Sequence, residues 1–160
     1  GGPANASTTL NIYGFRMGFE FFQLGYASAL MVTRDHHERA RAPDSAKGMA
    51  HSLANAIYHH SDLDAAMIFL ADMPFVQEAT IKALLNAYET NEDADPIVLP
   101  TIKGTPGHPV IFDKVYFNEI QELEGDRGAR PVVDAHQEKL VRIEVEDDGV
   151  MRDIDTPHDL

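Results

Sequence analysis

The sequence predicts an α/β domain built on a mostly parallel mixed sheet, and three observations predict it. The stretch Ala65-Ala-Met-Ile-Phe-Leu70 is apolar throughout and leads at once into Ala71, Asp72 and Pro74. A short apolar run with no polar face fits a strand covered on both sides, as between two helix layers. Strand-like runs over 27–33, 65–70, 96–100 and 110–112 alternate with segments of helical periodicity, the pattern of βαβ units. Loops dense in Gly, Pro and Asp stand at the expected strand ends, where open α/β sheets place their ligands.

At 160 residues the chain is about one domain long and large enough to bury a core without staples. Residues 1–160 are read as a single domain trimmed at both ends, with 1–9 a loose terminus. The absence of cysteine excludes a disulfide framework, a thiolate zinc site and a cysteine nucleophile. No apolar run approaches the roughly 20 residues that cross a bilayer, and no signal peptide stands at the N-terminus. The expected location is the cytoplasm, with no membrane partner. The formal net charge is −13, from 13 basic and 26 acidic side chains. That argues against nucleic acid as a partner but not against a nucleotide, since a metal and a few N–H groups neutralise a triphosphate locally.

Taken in order, residues 12–24 carry Ile12, Phe15, Phe19 and Phe22 at helical spacing and predict a helix stopped by Gly25. Residues 27–33 predict a strand, and 34–42 a charged surface segment. A helix is expected from about 45 or 48 to 60, with Met49, Leu53, Ala56 and Ile57 as its apolar stripe. The 65–70 strand follows, then a helix over 75–89. Residues 91–95 make an acidic turn and 96–100 a short strand. Residues 101–109 read as a loop, 110–112 as a brief strand, and 113–123 and 129–136 as helices flanking a turn at 125–128. Residues 140–145 alternate Val141, Ile143 and Val145 with Arg142 and Glu144, the mark of a half-exposed strand. Asp147-Asp-Gly149 is expected to turn into a further strand over 150–154.

Five stretches carry candidate chemistry. Asp72 ends the 65–70 strand, where a carboxylate either holds a divalent metal that bridges phosphates or supports the helix start after Pro74. Gly48-Met49-Ala-His-Ser52 opens a helix, whose free N–H groups suit a phosphate or a base carbonyl, or merely initiate the helix. Gly104-Thr-Pro-Gly107-His108-Pro109 has two glycines that allow close backbone approach to a ligand, with Lys103 as a nearby cation. Gly125-Asp126-Arg-Gly-Ala-Arg130 offers an arginine for a bidentate phosphate contact, or an ordinary surface turn. Asp153 and Asp155 share one face at the last strand end. Thr156, Pro157 and Asp159 after them also make a good helix start. Two acidic strand ends, Asp72 and Asp155, can converge on one Mg²⁺. The eight histidines form no metal constellation, and no serine sits on a Gly-x-Ser-x-Gly elbow.

In order, Gly48-Met-Ala-His-Ser-Leu-Ala-Asn-Ala-Ile57, Leu70-Ala-Asp-Met-Pro74, Gly107-His-Pro109, Gly125-Asp-Arg-Gly-Ala-Arg130 and Asp153-Ile-Asp-Thr-Pro-His-Asp-Leu160 resemble the nucleotidyltransferases of molybdenum cofactor maturation. The likeness is to the cytidylyltransferase branch and covers about residues 25–160. It implies a Rossmann-like three-layer α/β/α fold of the nucleotide-diphospho-sugar-transferase type. It also implies a Mg²⁺-dependent transfer of CMP from CTP to the phosphate of a molybdenum pterin, the product passing to a molybdoenzyme or chaperone. By the same resemblance Asp72 and Asp155 are the metal ligands and catalytic residues, and Gly48, Met49, Ser52 and Asp72 lie against the nucleotide. Gly107, His108, Asp126 and Arg130 line the acceptor side. The family's glycine-rich loop ending in Arg-Met-Gly is not found in its usual place, since Arg16-Met17-Gly18 falls in the stretch read as a helix. Alternative expectations are therefore a non-catalytic pterin- or nucleotide-binding relative, and a transferase using GTP or another small phosphate acceptor.

Overall fold

Alternate residues of each central strand face opposite ways, and each set meets its own helix layer. The computed structural model describes residues 19–24, 27–32, 49–59, 61–70, 73, 75–92, 94–125 and 127–153, with the backbone alone at 19–24, 27–32, 49, 51 and 52. Strands β1 (Phe19–Leu24), β2 (Ala27–Val32), β3 (Ala65–Leu70), β4 (Ile97–Ile102), β5 (Thr105–Pro106), β6 (Val110–Asp113) and β7 (Leu140–Glu144) form one sheet. Its order is β1-β2-β3-β6-β4-β5, with β7 on the other side of β4.

Ala66, Ile68, Ile97, Leu99, Val110 and Phe112 point into one layer. There they bury Leu53, Ala56 and Ile57 of α1 (Met49–His59), Phe117 and Ile120 of α3 (Phe117–Gln121), and Val132 and Val133 of α4 (Arg130–Ala135). Ala65, Met67, Phe69, Val98 and Ile111 point the other way, onto Val76 and onto Ile81 and Leu84 of α2 (Glu78–Thr90). The result is the expected three-layer α/β/α arrangement, a mixed open sheet between helices. The apolar run 65–70 is buried from both sides, as its lack of a polar face predicts. Val141, Ile143 and Val145 pack on the α2 layer while Arg142 and Glu144 are exposed, as their alternation predicts.

Several expectations are corrected. The sheet is not mostly parallel: β4–β7 is the one parallel ladder among the described residues, and the other ladders are antiparallel. The run 110–113 lies between β3 and β4 and opposes both, so β3 and β4 share a direction without being neighbours. Continuous apolar runs report burial on two faces, and burial says nothing of strand direction. The helix expected over 12–24 is a strand across 19–24, paired in a hairpin with 27–32. Phe19 and Phe22 fit a three-residue helical spacing, but cross-strand pairing decides.

The helix expected from 75 begins at Glu78. The loop expected over 101–109 holds the end of β4 and the two-residue β5, joined by a tight turn at Lys103 (φ 50°) and Gly104 (φ 80°), the positive values a two-residue hairpin loop requires, with 107–109 irregular. The 113–123 helix divides into a 3₁₀ turn at Lys114–Tyr116 and α3. The strand expected from residue 150 is instead a 3₁₀ turn, Asp148–Val150, followed by irregular chain to Asp153.

Candidate functional site

One edge of the sheet holds those of the expected site residues that are described. Strands β3, β4 and β7 all end there, and β6 begins there. α1 leads back into the start of β3, so its own start lies at the same edge, as does the start of α2, which follows β3.

Opposite β4 the chain makes a bulge. From the pair Ile97↔Phe112 to the pair Thr101↔Pro106, β4 advances four residues while its partner strand advances six. The excess is Gly107 and His108 with the cis His108–Pro109 bond, and a bulge of this kind re-aims side chains at a sheet end. The Gly107 N–H donates to the Pro100 carbonyl at 2.9 Å, and the His108 N–H donates to the Val150 carbonyl at 2.9 Å. The glycine is required by proximity: a Cβ at 107 would stand 2.4 Å from the Val150 oxygen.

The His108 side chain is half-buried, with its Nδ1 fully enclosed and without a hydrogen-bond partner among the described residues. Burial, and after it the Arg130 guanidinium, pushes the His108 pKa below its ordinary value. The neutral imidazole is therefore the resting form near neutrality, and its free nitrogen is a polar group left for something to meet.

Arg130 opens α4, exposed, and its Nε donates to Asp134 at 2.9 Å; Arg127 reaches the same carboxylate at 3.2 Å. The Gly125 carbonyl accepts from the Ala50 N–H at 3.1 Å, which fastens the 125–130 turn to the first turn of α1. Met49 and Ser52 lie in the first turns of that helix. The structure thus gathers Met49, Ser52, Gly107, His108 and Arg130 at one edge. Gly48, Asp72, Asp126 and Asp155 lie outside the described residues. Lys103 sits at the exposed tip of the hairpin turn. Glu144 supports that turn, accepting from the Thr101 hydroxyl at 2.7 Å and from the Lys103 and Gly104 N–H groups.

A third segment closes the edge, and the sequence did not announce it. Asp147 is buried, 4% exposed. Its Oδ2 accepts from the Gln77 N–H at 2.8 Å and from the Thr80 hydroxyl at 2.6 Å, and its Oδ1 accepts from the Gly149 N–H at 3.0 Å. A Cβ at Gly149 would stand 2.2 Å from the Phe75 oxygen. The Arg152 guanidinium lies 4.2 Å from the Phe75 ring centre, in reach of a cation–π contact. Asp147-Asp-Gly149 looks like a hairpin turn because its partners, Gln77 and Thr80, lie some 70 residues away in the chain.

Among the described residues no group of three or more His, Asp or Glu side chains is placed to hold a metal ion. The two carboxylates expected to do so flank described chain: Asp72 lies between Leu70 and Met73, and Asp155 lies two residues past the exposed Asp153. Carboxylate oxygens are hard donors, and that chemistry fits Mg²⁺ or Mn²⁺.

Residues 25–140 match the family model described as the MobA-like NTP transferase domain. No curated protein matches the chain. Among solved structures, Rv0371c from Mycobacterium tuberculosis H37Rv superposes with a TM-score of 0.57 at 26% identity, over 68% of this chain and 54% of that one. The same protein in complex with manganese gives 0.51 at 25% identity, over 59% and 49%. An Rv0371c homologue from Mycobacterium sp. strain JC1 gives 0.54 at 23% identity, over 68% and 52%, a likeness of fold alone. The chain spans about half the length of each of these structures.

Proposed function

We propose nucleotidyl transfer as the reaction of this chain, which belongs to the family of MobA-like NTP transferase domains. The observation that carries the reading is the gathering of Met49, Ser52, Gly107, His108 and Arg130 at the carboxyl edge of β3 and β4, in a chain of that family. That edge is where open α/β sheets bind their ligands.

In the proposed reaction an oxygen of the acceptor's phosphate attacks the α-phosphorus of the nucleoside triphosphate. The new P–O bond forms as the bond to the β-phosphate oxygen breaks, and pyrophosphate leaves. CTP is the proposed donor and a phosphorylated pterin of the molybdenum cofactor the proposed acceptor, on the likeness of the Gly48-Met-x-x-Ser52-Leu stretch and its companions to the cytidylyltransferase branch. A molybdoenzyme or chaperone would receive the product, and the cytoplasm is the proposed location.

Asp72 and Asp155 are the proposed ligands of a divalent cation, Mg²⁺ in this reading. When bound, such a cation supplies neutralisation of charge on the phosphates. The manganese complex of Rv0371c supports a divalent metal here. The start of α1, with Gly48, Met49 and Ser52, offers N–H groups to the nucleotide. In this reading Gly107 would bring backbone close to the acceptor, His108 would offer its Nδ1 and Arg130 its guanidinium, and Asp126 is assigned to the acceptor by the resemblance alone. Positioning for in-line attack and charge stabilisation would supply most of the rate, so no general base is assigned.

The test is binding of CTP and of GTP to the chain with and without Mg²⁺, followed by pyrophosphate release with a phosphorylated pterin. Tighter Mg²⁺-dependent binding of CTP than of GTP supports the reading in full. Tighter GTP binding keeps the transferase and changes the donor.

A further inference from the structure

Two guanidinium groups at the site edge share one carboxylate. The Arg130 Nε donates to Asp134 Oδ1 at 2.9 Å, and an Nη of Arg127 donates to Asp134 Oδ2 at 3.2 Å. Each oxygen takes one arginine, so the carboxylate bridges two like charges that would otherwise repel. The three groups sum to a single positive charge. A guanidinium has more N–H donors than the one each gives to Asp134, so both keep donors unengaged among the described residues.

All three side chains are exposed, by 44% at Asp134 and by 63% and 69% at Arg130 and Arg127. An exposed ion pair adds little to stability, so it opens readily for a better partner. Phosphate is such a partner, because its oxygens meet a guanidinium two at a time. The place of the cluster fits one. The turn that carries Arg127 is tied to the start of α1 through the Ala50 N–H and the Gly125 carbonyl. Arg130 lies within electrostatic reach of His108 in the bulge. The cluster thus adjoins two described parts of the candidate site.

We propose that Asp134 is a latch on Arg127 and Arg130, opened when the dianionic phosphate monoester of the acceptor takes its place. A monoanion offers the arginines no more charge than the carboxylate it would displace, and so gains little. A dianion offers twice that charge. The assignment of this phosphate to the acceptor rests on the nucleotidyltransferase reading above. On that reading the latch also favours release. One oxygen of the acceptor's phosphate forms the new bond to the α-phosphorus, and pyrophosphate leaves with the electrons of the bond that breaks. The phosphate, now linked on two sides, keeps one negative charge of its two. Asp134 then competes for the arginines on even terms, and the product leaves.

The test follows the arginine side-chain N–H signals by NMR as methyl phosphate, a monoester, or dimethyl phosphate, a diester, is added at pH about 7.5. At that pH the monoester is a dianion, its second pKa being about 6. The chains are the wild type, Arg127→Gln, Arg130→Gln and Asp134→Asn, each also checked by thermal melting and by binding of CTP with Mg²⁺. Methyl phosphate should shift the Arg127 and Arg130 signals to saturation, and dimethyl phosphate should bind about tenfold more weakly or less. Either arginine variant should weaken methyl phosphate about tenfold, the size of one charged hydrogen bond. Asp134→Asn should strengthen it about threefold, the effect of removing one exposed opposing charge. A purely structural ion pair predicts no such gain. Equal affinity for the two probes, no saturable shift in the wild type, or Asp134→Asn binding no more tightly, in a chain that binds CTP with Mg²⁺, overturns this proposal alone. CTP that displaces methyl phosphate from the two arginines overturns their assignment to the acceptor. Methyl phosphate binding as expected in a chain that binds no CTP overturns the transferase reading and leaves the latch standing.

Discussion

The carbonyl oxygen of Val150 occupies the space a side chain at Gly107 would need, 2.4 Å from the ideal Cβ position, and the neighbouring His108 N–H donates to that same oxygen. Glycine there lets the bulge beside β4 and the turn after β7 touch backbone to backbone. Gly149 does the same against Phe75, where the obstruction is also main chain. Main chain cannot swing aside as a flexible side chain can.

Gly107→Ala and Gly149→Ala should therefore each destabilise the fold by about 1–3 kcal/mol, the usual cost of overpacking. Thermal melting should show a drop of about 2–4 °C for each kcal/mol. A melting temperature unchanged in both variants would mean that the 147–150 turn does not sit against the bulge and the start of α2.

The core makes a second prediction. Phe112 is 1% exposed, in the buried layer it shares with residues of α1, α3 and α4, whereas Val115, three residues on, is 52% exposed. Phe112→Ala should cost about 3–5 kcal/mol in denaturant unfolding. Val115→Ala should change stability by less than about 0.5 kcal/mol. Similar costs at the two positions would contradict the assignment of Phe112 to the inner layer.

The pH dependence follows from His108. Its pKa is lowered from 6.5 by burial first and by Arg130 second, so the unfolded chain binds the proton more readily than the fold does. Its contribution to stability is intact above about 6.5 and is lost as the pH falls through the lower, folded value. Glu144 is held below its ordinary 4.5, chiefly by the Thr101 hydroxyl and then by the Lys103 N–H, and its contribution is lost only in a more acidic window. Melting temperatures measured across the acid range should show that the first decline below pH 6.5 is shallower in His108→Gln than in the wild type. Equal slopes would place the His108 ring in water.

How much of this was legible in the sequence depends on the range of the interaction concerned. The two-sided burial of 65–70, the half-exposed strand at 140–144 and the α1 stripe of Leu53, Ala56 and Ile57 are written in local periodicity, and the structure carries all three. Strand direction is not local. Val110-Ile-Phe112 reads as one more apolar run, and only its pairing with both β3 and β4 makes it the antiparallel member between them. The strand at 19–24 was hidden because Phe19 and Phe22, three residues apart, fit a helical spacing and not the period of two, and only the pairing with 27–32 makes the segment a strand. At the site, glycines and prolines marked the bulge at 107–109 and the turn at 125–128. Asp147 carried no such mark, because its meaning lies in Gln77 and Thr80.

The measurement that tests the central claim most directly is Mg²⁺-dependent binding of CTP to the wild-type chain and to Asp72→Ala. A nucleotidyltransferase site at the carboxyl edge of β3 predicts that the wild type binds CTP more tightly with Mg²⁺ than without. Asp72→Ala should lose that metal dependence while melting as the wild type does. CTP binding that ignores Mg²⁺, or Mg²⁺-dependent binding undiminished in Asp72→Ala, would contradict the account.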